Sequence, residues 1–227
     1  MIALVRGDSG NSDNSDNSRD GQLFGRIAHD IEKQGYSIRP GALPESLATG
    51  LLRHQQQIDD DLYIDAGIGR GGDYLRTRFV RTDEICWITG ASETGRQWLD
   101  WAGRLQAFLN RRLFLGLFSF ESHFAHYAPG DYYRRHYDAF RGETNRVLSI
   151  VAYLNPGWSS SDGGQLVLYG GDEDVSGTRV VPLHGTVVVF LSEEFPHEVL
   201  PAKRDRYSIA GWFRVNASIR NAVDPPR

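Results

Sequence analysis

The chain has 227 residues, 40% of them hydrophobic and 24% charged, and a formal net charge of −4. This is a globular composition, and its acidic balance gives no electrostatic case for nucleic acid as a partner. No apolar run is long enough to cross a bilayer, so we expect no membrane partner, and the single cysteine, Cys86, excludes an intramolecular disulfide.

The N-terminal part of the chain combines a polar tail with helical patterns. Residues 1–20 include the low-complexity run DSGNSDNSDNSRD, and we predict a disordered tail there. The tail lacks the apolar core of a secretory signal, so we expect a cytoplasmic protein. Apolar residues from Leu23 to Ile31 follow helical spacing and stop before Gly35.

Two further helices are predicted before the character of the sequence changes. The second covers residues 44–57, and the third covers 94–113, where an apolar stripe faces a polar one. After residue 117, short β-rich runs alternate with Gly, Pro, Asn and Ser clusters, which favours a sandwich or barrel. The predicted strands cover residues 117–127, 133–139, 146–154, 165–170, 179–182, 186–191, 197–200 and 206–215.

Residues 67–72 read GIGRGG and match the GxGxxG pattern of dinucleotide-binding loops. That interpretation requires a strand before the motif and a helix that begins on it. The residues that follow, 73–80, alternate like a strand instead. We therefore interpret the segment as a flexible glycine-rich loop.

His136 and Asp138 are two residues apart in a predicted strand. Residues two apart on a strand project from the same face, so both side chains can bind one metal ion. His197 is the best candidate for a third ligand. Two histidines and a carboxylate leave one face of an octahedral ion open, as in non-haem Fe(II) oxygenases. The alternative is a histidine on an exposed strand, because an HxD match alone is not specific.

Arg206 follows His197 on the last predicted strand and shares a face with Ser208, Ala210 and Trp212. A guanidinium that points into an apolar barrel is costly unless it meets an anion. Because guanidinium and carboxylate groups pair through two hydrogen bonds, we expect Arg206 to bind a dicarboxylate cosubstrate.

Five motifs together resemble the Fe(II)- and 2-oxoglutarate-dependent prolyl 4-hydroxylases, most closely the oxygen-sensing type that acts on hypoxia-inducible factor. They are YAPGDYYRRHYD at 127–138, YLN at 153–155, GGQL at 163–166, PHEV at 196–199 and RYSIAGW at 206–212. The resemblance covers roughly residues 80–214. It implies a mainly β fold with flanking helices (α+β), built on a double-stranded β-helix of the jelly-roll, cupin-like type. We expect one catalytic domain over residues 21–227, with helical support in 21–113 and the β-helix in 114–215.

The resemblance also implies roles for individual side chains. His136, Asp138 and His197 would hold Fe(II). Arg206 and Tyr153 would bind the far carboxylate of 2-oxoglutarate, and Tyr127 and Leu166 would line the same pocket. The expected substrate contacts are Arg146 and Trp212 at the mouth of the site, Tyr133 near the prolyl ring, and Arg81 and Asp83 at the end of a mobile loop over residues 66–82.

Four positions keep alternatives. Arg81 and Asp83 could instead form a surface ion pair, which contributes little to stability. Tyr133 could simply pack its strand. His123 stands where the animal enzymes carry methionine, and we expect a hydrogen-bonded pocket wall there rather than a fourth metal ligand.

The implied reaction is hydroxylation of a prolyl residue at C4 in a protein or peptide. It consumes O₂ and 2-oxoglutarate and releases succinate and CO₂, with ascorbate as a candidate reductant. The alternatives are a 2-oxoglutarate oxygenase that acts on a free amino acid or an alkylated base, and a metal- or ligand-binding β-barrel without catalysis. We expect a monomer, because no spare apolar helix or heptad run is apparent.

Overall fold

The computed structural model describes residues 19–65, 80–139 and 145–216. The GxGxxG motif, nearly all of the predicted tail and most of the predicted loop over 66–82 lie outside these ranges. The predicted order, helices first and strands second, is confirmed. Within the described ranges, no helix is both long and apolar enough to cross a membrane.

Three α-helices match the three predicted: α1 (Arg19–Gln34), α2 (Glu45–Gln55) and α3 (Glu93–Leu113). Gly35 ends α1 with φ +78°, and its N–H donates to the carbonyl of Ile31. Ser92 caps α3, because its side-chain oxygen accepts from the N–H of Gly95.

The described residues also form eleven strands. The eight predicted after residue 117 are all present, with small differences at their ends. Of the other three, the strand at 84–87 lies in residues 80–88, which look like the strand before the long helix in the prolyl 4-hydroxylases, and two short strands before residue 66 were not predicted. The strands are β1 (Tyr36–Arg39), β2 (Ile64–Asp65), β3 (Glu84–Trp87), β4 (Ser119–Tyr127), β5 (Tyr133–His136), β6 (Arg146–Tyr153), β7 (Leu166–Leu168), β8 (Thr178–Val180), β9 (Val187–Leu191), β10 (His197–Val199) and β11 (Arg206–Arg214).

These strands form two antiparallel sheets. The larger has the order β1-β9-β6-β11-β4-β3-β2, and the smaller has the order β5-β10-β7-β8. Apart from the consecutive pairs β2–β3, β3–β4 and β7–β8, neighbouring strands are distant in sequence, as expected for a double-stranded β-helix. The predicted fold class is therefore confirmed.

The larger sheet is buried on both faces. Its outer face packs on the three helices through residues such as Phe124, Leu148 and Ile209. Its inner face meets the smaller sheet through residues such as Tyr127, Tyr153 and Phe190. The helices therefore support the larger sheet from outside, and side chains on its inner face point into the space between the two sheets.

Candidate metal and cosubstrate site

The structure brings His136, Asp138 and His197 together at one end of the barrel. Their ligand atoms all lie within 4.8 Å of one another. His136 ends β5 and His197 begins β10, where the two residues are directly paired. Their rings are 4.3 Å apart between centroids. Strand pairing thus places two histidines from distant parts of the chain side by side.

Asp138 reaches the same cluster by a different route from the one predicted. β5 ends at His136, so the predicted strand over 133–139 is too long and Asp138 lies in a bend beyond it. Its carboxylate is held instead from the larger sheet, because Ser149 Oγ donates to Asp138 Oδ2 at 2.6 Å. Ser149 Oγ also lies 2.9 Å from Ser192 Oγ. Two serines therefore fix the carboxylate.

The histidines are oriented by backbone carbonyls. His136 Nδ1 lies 2.8 Å from the carbonyl of Arg134, and His197 Nδ1 lies 3.1 Å from that of Phe195. The two Nε2 atoms then face Asp138, at 3.6 Å from Oδ1 and 3.7 Å from Oδ2 respectively. This arrangement, with Nδ1 bonded to the backbone, fixes ring orientation in metal sites.

The protonation states of Asp138 and His197 are those that bind a metal cation. Burial alone would raise the pKa of the Asp138 carboxyl, but His197, His136 and Ser149 hold it well below its ordinary value. Burial and the neighbouring His136 lower the pKa of His197 to about 4. Near neutral pH the cluster therefore offers an ionised carboxylate and a neutral His197 imidazole, the forms that bind metals.

Arg206 lies on the inner face of β11 and is only 1% exposed. Its Nε donates to the carbonyl of Gly164 at 2.8 Å, and its Nη1 donates to Ser208 Oγ at 3.0 Å. No carboxylate of the described residues pairs with it. A buried guanidinium with neutral partners alone is poorly compensated, and an anion would correct this.

The turn before β7 packs directly against this guanidinium. Gly164 has φ +65°, and a Cβ atom there would lie 2.9 Å from Arg206 Cδ and 3.3 Å from Trp158 Cζ2. The Trp158 indole in turn donates to the carbonyl of Gly163 at 3.0 Å. The GGQL motif is therefore explained by the close approach of the backbone to Arg206.

Two tyrosines complete the surroundings of Arg206. Its Cζ lies 4.8 Å from the Tyr127 ring centroid and 5.2 Å from that of Tyr153. The buried hydroxyl of Tyr153 has no hydrogen-bond partner among the described residues. Burial raises the pKa of Tyr153 to about 12 and that of Tyr127 well above its ordinary value, so both are neutral donors. Leu166 is buried on β7, opposite Val199 of β10.

Arg146 and Trp212 lie next to the metal cluster. The Arg146 guanidinium lies 3.6 Å from the centroid of the Trp212 ring. Arg146 Nη2 donates to Glu121 Oε1 at 3.1 Å, and Nη1 reaches the backbone carbonyl of Asp138 at 3.4 Å. Trp212 is buried rather than open at the mouth. The pair forms a flat cationic and aromatic wall beside Asp138.

His123 is buried between two indoles, 5.3 Å from Trp87 and 5.5 Å from Trp212 between ring centroids. Its Nδ1 lies 3.2 Å from the carbonyl of Phe124. Burial and the charge of Arg81 lower its pKa to about 4, so the ring is neutral. Among the described residues it is outside the metal cluster, as expected for a pocket wall.

Arg81 and Asp83 form an ion pair in which Asp83 is buried and the Arg81 side chain is only 10% exposed, so it is not the surface ion pair considered as the alternative. Arg81 Nε and Nη2 donate to the two oxygens of Asp83 at 2.8 and 2.6 Å. The Asp83 side chain is 0% exposed. Arg81 lies over Tyr133, whose ring stacks on His136. Two of the five predicted substrate contacts, Arg146 and Tyr133, therefore touch a residue of the metal cluster. The other three reach it through them.

Sequence reasoning missed the serines that support the site. Ser149 and Ser192 hold Asp138, and Ser208 holds Arg206. The available signal was a small polar residue inside a strand that is otherwise apolar, as in RVLSIVAY of β6. Such a residue is placed in the core only where a polar partner meets it.

The two antiparallel sheets hold two histidines and a carboxylate at one end, and a buried arginine lies between the same sheets. This combination defines the class of non-haem iron oxygenases that use a dicarboxylate cosubstrate.

Comparison with known proteins refines this class. The model of the 2OG-Fe(II) oxygenase superfamily matches residues 122–214. The crystal structure of a Pseudomonas putida prolyl-4-hydroxylase is 39% identical, covers 86% of this chain and 100% of its own, and superposes with a TM-score of 0.75. The chain belongs to the prolyl 4-hydroxylase-like 2OG-Fe(II) oxygenases, whose cofactors are Fe(II) and 2-oxoglutarate.

Two more distant similarities are informative. A prolyl hydroxylase from Trichoplax adhaerens, solved with a peptide of the hypoxia-inducible factor oxygen degradation domain, is 24% identical. It covers 91% of this chain and 94% of its own with a TM-score of 0.75, which supports the fold. A prolyl 3-hydroxylase of Xenopus laevis is 35% identical over 97 residues. That match spans 39% of this chain and only 18% of the frog protein.

Proposed function

We propose that this protein hydroxylates a prolyl residue at C4 in a protein or peptide. The observation that carries the proposal is the placement of the His136–Asp138–His197 cluster and the buried Arg206 between the same two sheets. The Pseudomonas enzyme, similar over its entire length, supports the prolyl substrate. The finer assignment to the oxygen-sensing type rests on the sequence motifs.

His136 and His197 would hold Fe(II) through Nε2, and Asp138 through a carboxylate oxygen. The donor set fits, because one carboxylate and two imidazoles are suitable ligands for this ion. When bound, Fe(II) and 2-oxoglutarate supply the oxidising chemistry, which consumes O₂ and releases succinate and CO₂. Ser149 keeps the carboxylate in place for this purpose.

Arg206 would pair with the far carboxylate of 2-oxoglutarate. The fit is supported by two buried groups: the Tyr153 hydroxyl, which has no hydrogen-bond partner among the described residues, and the Arg206 guanidinium, which donates to the neutral Gly164 carbonyl and Ser208 hydroxyl. A single carboxylate accepts hydrogen bonds from both and neutralises the buried charge. Tyr127 and Leu166 form apolar walls that exclude water from this pocket.

Arg146, Trp212 and Tyr133 would contact the substrate, with Arg81 and Asp83 beneath Tyr133. The support is their position: each is linked to Asp138 or His136 through direct or stacked contacts. Flat aromatic faces suit the C–H groups of a pyrrolidine ring. The neutral ring of His123 would close the wall behind Trp212.

The regiochemistry has a second candidate, hydroxylation at C3, because the chain is also similar to the frog prolyl 3-hydroxylase over 97 residues. The test is incubation with Fe(II), 2-oxoglutarate, ascorbate and a library of proline-containing peptides, with Asp138→Ala as the inactive control. Acid hydrolysis and chromatography of oxidised peptides would then separate 4-hydroxyproline from 3-hydroxyproline. We expect the 4-isomer. The 3-isomer would contradict the C4 assignment, and oxidation of other residues alone would contradict the prolyl assignment.

A further inference from the structure

A β-bulge turns Tyr133 and His136 to the same side of β5. On a regular strand, residues three apart project from opposite faces. β10 pairs His197 with His136 but Val199 with Tyr133, so two steps on β10 match three on β5. The extra residue is a bulge, which re-aims side chains. As a result the Tyr133 and His136 rings stack at 3.5 Å between centroids, with planes 14° apart.

The other face of Tyr133 carries Arg81. The guanidinium carbon lies 4.3 Å from the Tyr133 centroid. Because the His136 ring already covers one face nearly in parallel, the guanidinium has room only on the opposite face. Asp83 then holds Arg81 through two hydrogen bonds. We call these four residues, Asp83, Arg81, Tyr133 and His136, the stacked column.

The backbone fastens the base of the stacked column to β5. Arg81 and Tyr133 form an isolated antiparallel bridge. The N–H of Arg134 donates to the carbonyl of Val80 at 2.8 Å. Thr82 exchanges hydrogen bonds with Tyr132, since its N–H donates at 3.1 Å and its hydroxyl accepts at 3.0 Å. Arg81 is therefore held against the bulge from both sides.

The two candidate histidine ligands differ in how they are supported. His197 is buried and packs edge-on against Phe190 at 4.8 Å between centroids. His136 is half-buried: its Nδ1 contacts the Arg134 carbonyl, and the face of its ring packs on Tyr133. The stacked column is therefore the packing support of this ligand. Asp83 neutralises Arg81, so the column adds no net charge beside a divalent cation.

We propose that Arg81 and Tyr133 are positioning residues that hold the His136 imidazole with Nε2 towards Asp138, and so preorganise the metal cluster. The inference rests on the proposed function, because it requires the cluster to bind a metal ion. It goes beyond that function, since it assigns to Arg81 and Tyr133 an effect on metal affinity that does not depend on the peptide.

The test is titration of metal-free protein with Co(II) by calorimetry. Tyr133→Leu removes the stacked ring, and Tyr133→Phe keeps the ring without the hydroxyl. Arg81→Met removes the guanidinium. Arg204→Met is the matched control, because Arg204 lies 4.3 Å from the Trp158 centroid and is not part of the metal cluster. Thermal unfolding of each metal-free variant reports whether its fold is intact.

We expect Tyr133→Leu and Arg81→Met to weaken Co(II) binding by about 10-fold to 100-fold, the usual effect of removing a group that supports a metal ligand. Tyr133→Phe and Arg204→Met should bind within about twofold of the unmodified protein. If Arg81→Met does not fold because Asp83 is left unpaired, the two Tyr133 variants decide the question alone.

Two results would overturn the inference in different ways. If folded Tyr133→Leu binds Co(II) as tightly as the unmodified protein, the positioning role is wrong and the proposed function stands. If the unmodified protein does not bind Co(II), the metal site itself is wrong, and the proposed function fails with it.

Discussion

Replacing Gly164 by alanine tests whether the backbone around Arg206 is built to hold that guanidinium. The new Cβ would lie 2.9 Å from Arg206 Cδ and 3.3 Å from Trp158 Cζ2. Both are tighter than ordinary van der Waals contacts, so Arg206 must shift by several tenths of an ångström. Since small misplacements in a binding site are costly, we expect the Kd for 2-oxoglutarate to rise about tenfold.

The same substitution also strains the backbone, and this effect needs its own control. Gly164 has φ +65°, where an L-residue costs about 1–2 kcal/mol. Gly157 has φ +60° and nothing within 4 Å of its built Cβ. Gly157→Ala should therefore lose a similar free energy of unfolding without a change in 2-oxoglutarate affinity.

The assay is 2-oxoglutarate titration of the Fe(II)-loaded protein without O₂, with urea unfolding of the same samples. If Gly164→Ala and Gly157→Ala bind the cosubstrate equally well, the contact between Gly164 and Arg206 is irrelevant to binding. The assignment of Arg206 to the cosubstrate would then lose its structural basis.

Three further predictions concern the buried charges. Asp138→Ala should abolish succinate formation, because the cluster loses its carboxylate; turnover near the unmodified rate would remove Asp138 from the ligand set. Arg206→Ala should raise the KM for 2-oxoglutarate more than about 100-fold, since two charge-assisted hydrogen bonds are lost; an unchanged KM in succinate assays would refute this. His123 titrates with a pKa of about 4 when folded, against 6.5 ordinarily. The unfolded chain therefore gains this proton first, and the contribution of His123 to the free energy of unfolding falls by about 2 kcal/mol between neutral pH and about pH 5. His123→Gln should remove that loss in urea unfolding of the metal-free protein, and an unchanged pH dependence would contradict it. Arg81, Asp83 and Arg146 are the charged groups that act on this ring.

Most of the fold could be predicted because its elements carry strong local patterns. Apolar spacing indicated the first and third helices, a second helix was predicted between them, and β-rich runs between turn clusters indicated eight strands. β1 and β2 carry no such pattern, since they contain four and two residues. Their strand conformation depends on pairing with β9 and β3, which sequence reading along the chain does not show.

The candidate site also has a part that the sequence predicts and a part that depends on long-range strand pairing. His136, Asp138, His197 and Arg206 belong to sequence motifs, and the structure brings the first three together with Arg206 between the same sheets. The stack of Tyr133 on His136 could not be predicted, because a period of two places them on opposite faces. The bulge that joins them is set by pairing with β10.

The burial of Asp83 could not be predicted either. Residues 80–83 are charged and polar enough to suggest a surface. Asp83 is nevertheless buried, because the segment adds to β5 through hydrogen bonds between distant parts of the chain. Long-range pairing of this kind leaves no periodic signal in the sequence.

The central claim is that this protein couples 2-oxoglutarate consumption to oxidation of proline. Its most direct test is to load the protein with Fe(II) and 2-oxoglutarate without O₂. O₂ is then admitted with and without proline-containing peptides, and succinate and peptide mass are measured together. We expect one succinate for each peptide that gains about 16 Da on proline, the mass of one oxygen atom, as prolyl hydroxylation requires. Succinate without peptide oxidation would contradict the prolyl substrate, and no Fe(II)-dependent succinate would contradict the oxygenase itself.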